Sequence, residues 1–287
     1  LVWVEGKAHK ADDVESIKVQ KIKVAPKQEG PAPLIEHAYY QRPPSLKEFG
    51  KDKIVIKDLR WDIQQDPATS TLRAKHSWET VTILPDRVQN VYFILKPFAP
   101  KFISAHSLFA FTFQPGGMVS DTGKESKGLA VSIEAYKKIG QKYGLIQCMK
   151  KVFDIVWNLV TYENYLTLNV KFNSSTDVEL IVYKMNLTRE QARGLLVETI
   201  KQSCVNRKGE YYHTILNNCT NNLVILLNHV LPASKQIKLW KIPSVIYNFK
   251  TTMPLSLAKL LKKHGLINEP LPVINTKNFI RDLDARK

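Results

Sequence analysis

A polar stretch at residues 211–222 opens directly onto an apolar run at residues 223–227, and this pattern is typical of a buried helix. Asn217 or Asn218 can cap this helix, because an Asn side-chain oxygen accepts an unpaired amide proton of the first turn. Cys219 then falls in that first turn, where the positive end of the helix dipole favours thiolate over thiol. A thiolate there can be a catalytic nucleophile; the alternative is a buried, inert cysteine beside a capping Asn.

A nucleophilic thiol needs a base, and the base needs an acceptor that fixes its tautomer. His106 stands at the start of a predicted strand and is the favoured base. Ser132 and Glu134 share one face of the next strand by the two-residue period, and either of them can be the orienting group. Glu134 is unusual in such a strand, because carboxylates are depleted there unless they have a partner or face water.

Other polar residues around Cys219 complete the candidate site. His213 lies just before the helix and is a rival base, or a surface or supporting residue. The first-turn amides and the side chains of Asn217 and Asn218 can form an oxyanion hole, with Thr220 as a further supporting residue.

The composition limits the partners and cofactors. The 287 residues carry a net charge of +16, which favours anionic partners such as phospholipid headgroups, nucleic acid or an acidic protein. No nucleic-acid-binding motif accompanies this charge, so we expect no nucleic-acid partner. The three cysteines, Cys148, Cys204 and Cys219, lack metal-site spacing, so we expect no metal and no cofactor. A Cys148–Cys204 disulfide is left open for an oxidising compartment.

The chain divides by composition into an extended N-terminal arm or linker at residues 1–50 and a single domain at residues 51–287. The arm is rich in Lys and Pro, with a possible edge strand at residues 16–24. No apolar stretch is long enough to span a bilayer, and the start at Leu1 leaves open a preceding signal peptide or membrane segment. Periodicity predicts strands at 53–57, 59–63, 78–83, 88–95, 103–113, 128–135, 165–170 and 178–183, and helices at 145–160, 188–204, 219–231 and 254–265.

The run from His106 to Leu231 resembles the bacterial family known as the Lnb N-terminal periplasmic domain. The matching pieces are 105–108 with Phe111 and Phe113, 130–135, 162–163 and 212–220. The resemblance implies a circularly permuted papain-like fold, in which the Cys helix follows the other catalytic residues. It also implies Cys219 as nucleophile, His106 as base, and Glu134 or Ser132 as orienting group. The chain has Tyr136 where the family pattern leads us to expect an Arg that would hold an anion.

The expected fold is therefore α+β, with an antiparallel sheet and packed helices in a permuted papain-like arrangement. The resemblance implies a periplasmic protein associated with the inner membrane of a Gram-negative bacterium. The expected function is a thiol acyltransferase that takes an acyl chain from phospholipid and passes it to an amine, such as that of a lipoprotein. The alternatives are a cysteine peptidase or amidase acting on peptide or cell wall, and a non-catalytic binding module.

Overall fold

The computed structural model describes residues 3–4, 7–8, 40–65, 74–98, 104–142, 144, 147–171, 178–238, 253–279 and 283–285. The chain forms two compact units, Leu1–Ile35 and Glu36–Lys287. In the first unit, strands β1 (Trp3–Val4) and β2 (Lys7–Ala8) pair antiparallel. The edge strand predicted at residues 16–24 lies outside the described residues. Residues 40–50, assigned above to the arm, lie in the second unit.

The second unit is built on a nine-stranded sheet. Its strands are β3 (Ser45–Phe49), β4 (Ile54–Gln65), β5 (Ala74–Ile83), β6 (Val88–Phe98), β7 (Ser104–Phe113), β8 (Met118–Ser120), β9 (Gly128–Tyr136), β10 (Asp154–Thr161) and β11 (Ile181–Lys184). Their order is β11-β6-β7-β9-β10-β4-β5-β8, and β3 also pairs with β4. Because β10 and β4 run parallel, the sheet is mixed, and the prediction of an antiparallel sheet was wrong on this point. The α+β class is confirmed.

Four α-helices accompany the sheet in the described part of the chain: α1 (Tyr162–Leu166), α2 (Arg189–Ser203), α3 (Cys219–Asn228) and α4 (Met253–Lys263). The start of α2 is a capping box, in which the Thr188 hydroxyl accepts from the Gln191 amide and the Gln191 side chain accepts from the Thr188 amide. The helices predicted from residues 188, 219 and 254 are confirmed.

Two sequence predictions of secondary structure were wrong. The segment predicted as a helix at 145–160 contains β10, whose residues are buried on both faces of the sheet. A strand buried on both faces gives a continuous apolar run, which periodicity does not separate from a buried helix. The strand predicted at 165–170 is instead α1 followed by a π-helical turn at Thr167–Lys171. The missed signal was Thr161, whose hydroxyl caps α1 at the Asn164 amide.

The sheet separates two apolar clusters. The larger cluster lies between one face and helices α2, α3 and α4, and it includes Phe109 and Phe111 of β7. The smaller cluster lies on the other face with α1, and it includes Leu108 and Ala110 of the same strand. Because side chains alternate along a strand, His106 points to the face of the smaller cluster, with Leu108. Helix α3 packs on the opposite face, so the predicted base and nucleophile come from different layers.

Gly128 begins β9 at a close approach between layers, and its replacement tests this packing. A Cβ at Gly128 would lie 2.9 Å from the Tyr162 Cβ and 3.2 Å from the Phe111 carbonyl oxygen. These atoms have little freedom to move, so Gly128→Ala should lower the free energy of unfolding by about 2 kcal/mol in urea denaturation. The matched control is Gly144→Ala, whose Cβ meets only the flexible Gln147 side chain and should change stability by less than about 0.5 kcal/mol. Equal stability of the two variants would contradict this account.

Candidate active site

Cys219 is the first residue of α3 and is 3% exposed. Asn218 is the N-cap, and its Oδ1 accepts a hydrogen bond from the Asn221 amide at 2.9 Å. The Asn218 Nδ2 donates to the Thr214 carbonyl at 2.5 Å, which holds the incoming loop against the helix. The sequence prediction of a capped helix with Cys219 in its first turn is confirmed, so the thiol lies at the positive end of the helix dipole.

The thiol meets the sheet where two strands separate. The pairing of β7 with β9 covers residues 109–112 and 128–131, whereas β7 pairs with β6 along its whole length. In the described strands, the first half of β7 therefore has one edge that β9 does not occupy. The sulfur of Cys219 uses this edge, because the backbone amide and the side chain of Ser107 both hydrogen-bond to it.

The His106 side chain contacts both Cys219 and Ser132. The imidazole is hydrogen-bonded to the Cys219 thiol, and its Nε2 lies 2.8 Å from the Ser132 Oγ. The Ser132 hydroxyl donates its one proton to Glu134 Oε1 at 2.5 Å, so its oxygen must accept from His106. Nε2 therefore carries a proton, which leaves Nδ1 as the nitrogen of the neutral ring that can accept one. The structure thus places Ser132 and Glu134 in series behind His106.

Glu134 is held by residues that sequence analysis missed. Gln41 Nε2 donates to Glu134 Oε2 at 2.7 Å and to the Ala135 carbonyl at 3.1 Å. Asn158 Nδ2, from the neighbouring strand β10, donates to the same carboxylate oxygen at 3.3 Å. Gln41 stands 93 residues away in the chain, in a Pro-rich segment that carries no local signal of such a role. The carboxylate is therefore fixed on both oxygens.

The electrostatics favour a thiolate–imidazolium pair. Burial alone would raise the pKa of the Cys219 thiol, but the charge and hydrogen bond of His106, with the hydrogen bonds from Ser107, lower it to about 6. For His106, burial opposes the charge, yet the Cys219 thiolate and then Glu134 raise its pKa above the ordinary value. Burial likewise works against ionisation of Glu134, but His106 and the Ser132 hydrogen bond lower its pKa. Each group keeps its neighbour charged.

His213, the rival base, has a different task. Its Nδ1 accepts hydrogen bonds from the amides of Ile215 and Leu216, both at 3.1 Å, and its backbone bridges to Asn217. Burial and the charge of Lys151 lower its pKa. With Nδ1 engaged in this way, His213 shapes the turn that leads into α3, and the geometry brings His106 to the thiol instead.

Two of the supporting residues predicted from the sequence, Asn217 and Thr220, contact neighbouring protein groups. Asn217 donates both amide protons, to Glu210 Oε1 at 3.1 Å and to the Tyr211 carbonyl at 2.9 Å, so its side chain has no proton left for an oxyanion. Thr220 is buried, with its Oγ1 at 3.4 Å from the Ser107 Oγ. The first-turn backbone amides of α3 are therefore the better oxyanion donors.

Two further polar residues near the site were not found from sequence. Lys96 is the cross-strand partner of His106 on β6, and its Nζ donates to Asn169 Oδ1 at 2.6 Å. Burial lowers the pKa of this ammonium group. Tyr165 of α1 is buried, and within the described part of the chain its hydroxyl has no hydrogen-bond partner. Its electrostatic interactions reach Glu134 and Cys219, so this hydroxyl lies near the candidate site.

Tyr136, the departure from the family pattern, ends β9 in a partly buried position. Burial raises the pKa of its hydroxyl, and the positive charge of Arg42 opposes that change. Arg42 also binds Asp58 at 2.8 Å and stacks on the Trp78 ring at 4.5 Å. A cation from the segment before β3 therefore lies near the position where the family pattern predicts one.

The comparisons with known proteins show the family of this chain. The family model described as the Lnb N-terminal periplasmic domain matches residues 74–263, about two thirds of the chain. The chain belongs to this family. The match covers His106, Ser132, Glu134 and Cys219 but not Gln41, and membership of the Lnb N-terminal periplasmic domain family indicates a periplasmic protein of the bacterial envelope. Neither the curated proteins nor the solved structures give a match to the chain.

Two further results concern metal sites and the membrane. The described residues include no group of three or more His, Cys, Asp or Glu side chains able to hold a metal ion. Among the same residues, no helix is long and apolar enough to cross a bilayer.

The charge state of Cys219 can be measured as thiolate ultraviolet absorbance against pH. The difference between the wild type and Cys219→Ser should show a transition near pH 6, because the pKa of this thiol is about 6 and thiolate accumulates above it. His106→Ala removes the cation that opposes burial, so the transition should move to higher pH.

Cys204 is the matched control for this titration. It is a free thiol whose pKa burial raises to about 12, so the difference between the wild type and Cys204→Ser should show no transition near neutral pH. A Cys219 transition at or above the value of an ordinary thiol would contradict the ion pair.

Proposed function

We propose that this protein is a cysteine-dependent acyltransferase of the bacterial envelope, with a permuted papain-like catalytic domain. The observation that carries the proposal is the hydrogen-bonded series from the Cys219 thiol through His106 and Ser132 to Glu134. It combines a nucleophile of lowered pKa, a base of defined tautomer and a fixed carboxylate, which are the parts that acyl transfer through a thioester requires.

In the first half-reaction, the Cys219 thiolate attacks an ester carbonyl of a phospholipid. The carbonyl oxygen becomes an oxyanion, which the first-turn amides of α3 stabilise. The intermediate collapses as the ester C–O bond breaks and the His106 imidazolium gives its proton to the departing alcohol. The products are a lysophospholipid and an acyl thioester on Cys219.

In the second half-reaction, an amine attacks the thioester. The neutral His106 takes a proton from the attacking nitrogen as the new C–N bond forms. The C–S bond then breaks, which yields an amide and restores the thiolate–imidazolium pair. A lipoprotein with a free α-amine in the same membrane is the acceptor that fits this step.

A phospholipid donor is supported by charge near the site. Lys96 lies beside His106 on the same face of the sheet, and Lys96 interacts electrostatically with Lys137. Cations in this position can hold the phosphate that every glycerophospholipid carries next to its esters. The net charge of +16 favours residence at the inner-membrane surface, where such donors lie.

The proposal is tested by the intact mass of the full chain after incubation with phosphatidylethanolamine vesicles. The wild type should gain one acyl group that neutral hydroxylamine removes, and Cys219→Ala should gain none. Cys204→Ser, a thiol replacement away from the site, should gain the same group as the wild type. Addition of a diacylated lipopeptide with a free amine should discharge the adduct into an N-acyl product.

Two other results would change the assignment. A Cys219 that reacts with a thiol probe but takes no acyl group from any lipid, while the protein cleaves peptide amides, would indicate the peptidase. No adduct, together with no thiol reactivity at neutral pH, would indicate a non-catalytic binding module.

The series arrangement behind His106 predicts a non-additive pair of substitutions. Ser132→Ala and Glu134→Gln should each lower kcat/KM for a soluble short-chain ester, because each disturbs the hydrogen bond at Nε2. The double variant should be about as slow as the slower single variant, since both residues act through one nitrogen. The control is Ser203→Ala, another buried Ser, whose hydroxyl donates to Thr199 within α2 and which should keep full activity. Multiplying effects in the double variant would show that the two residues act independently.

A further inference from the structure

An exposed apolar and basic surface lies beside the N-terminus of α3. Four consecutive residues before β10, Met149 to Val152, are all exposed, with Met149 at 42% and Val152 at 46%. Leu216 is 69% exposed and lies three residues before Cys219. Exposed apolar side chains mark an interaction surface when several of them lie on one contiguous patch. We call Met149–Val152 and Leu216 together the docking patch.

The two parts of the docking patch are held together by backbone contacts. The Tyr212 amide donates to the Phe153 carbonyl at 2.9 Å, and the Ile155 amide donates to the Glu210 carbonyl at 3.1 Å. Lys151 lies close enough to His213 to lower its pKa, and His213 accepts a hydrogen bond from the Leu216 amide. The loop before β10 and the turn before α3 therefore form one surface.

Along the loop before β10, the charged side chains are all positive. Residues 137–153 include five Lys and no Asp or Glu. Lys150 and Lys151 are exposed between the two apolar residues of the docking patch. The nearby Glu210 is engaged by Arg207 at 2.9 Å and by Asn217. Apolar side chains flanked by lysines match the boundary between lipid headgroups and acyl chains, where anionic lipid attracts the cations.

We propose that the docking patch binds an anionic lipid bilayer, with Met149, Val152 and Leu216 among the acyl chains and Lys150 and Lys151 at the phosphates. This proposal rests on the proposed function, since it names the surface through which the lipid reaches the site. Leu216 lies three residues before Cys219, so docking there holds the membrane surface near the first turn of α3.

The docking patch is tested by co-sedimentation of the full chain with vesicles. Vesicles of equal parts phosphatidylglycerol and phosphatidylcholine should bind the wild type, and phosphatidylcholine alone should bind it weakly. Lys150→Gln/Lys151→Gln should weaken binding to the anionic vesicles about 25-fold, from a factor of about five for each lysine. Met149→Ser/Val152→Ser and Leu216→Ser should each weaken binding to both kinds of vesicle.

The matched control is Leu46→Ser/Phe49→Ser, which removes two exposed apolar side chains from β3. This variant should bind vesicles like the wild type. All variants should keep the wild-type circular dichroism and the Cys219 thiolate transition, which shows that the site is folded. Equal loss in the control variant, or no loss in the patch variants, would overturn the proposal. A wild-type dimer that the patch substitutions convert to monomer without any change in vesicle binding would also overturn it, in favour of a contact between copies.

Docking and catalysis can fail separately. Cys219→Ala should bind vesicles like the wild type, because docking does not use the thiol. Vesicle binding without any acyl adduct would leave the docking patch standing and remove the acyltransferase. An adduct from detergent-dispersed phospholipid without vesicle binding would support the acyltransferase and remove the docking patch.

Discussion

The ion pair between Cys219 and His106 is the interaction on which the site depends, and it joins two layers of the molecule. Helix α3 lies on one face of the sheet, and the His106 side chain belongs to the other. The thiol reaches the imidazole only because β7 and β9 are not paired along the first half of β7. The same separation frees the Ser107 amide for the sulfur, so one break in a hydrogen-bond ladder supplies both access and a donor. Because both groups are buried, the thiolate and the imidazolium stabilise each other more than they would in water.

Sequence reasoning named the central residues of the candidate site because their signals are local. A capping Asn before an apolar run defines the start of α3, and the two-residue period places Ser132 and Glu134 on one face. The choice between Ser132 and Glu134 had no answer in sequence, because both lie on one strand face at suitable spacing. In the structure, the Ser132 Oγ lies next to Nε2 and Glu134 lies behind Ser132, an arrangement that depends on how far two strands separate.

The wrong prediction of a helix at 145–160 has its physical origin in burial on two sides. The residues of β10 face apolar clusters in both directions, so their pattern carried no period that distinguishes strand from helix. The parallel pairing of β10 with β4 joins segments about 100 residues apart and leaves no trace in either segment. Gln41 and Lys96 were missed for the same reason, since each acts through a neighbour that is distant in the chain.

The parallel pairing of β10 with β4 also affects which part of this protein can fold on its own. The family match begins at residue 74, whereas β4 and Gln41 lie before it. A fragment cut to the matched residues would lack a strand from the middle of the sheet, with β10 and β5 facing an empty slot. It would also lose the Gln41 amide, which holds the Glu134 carboxylate. The smallest piece that can be expressed as a folded domain is therefore larger than the region by which the family is recognised, and it must include residues from about 40 onward.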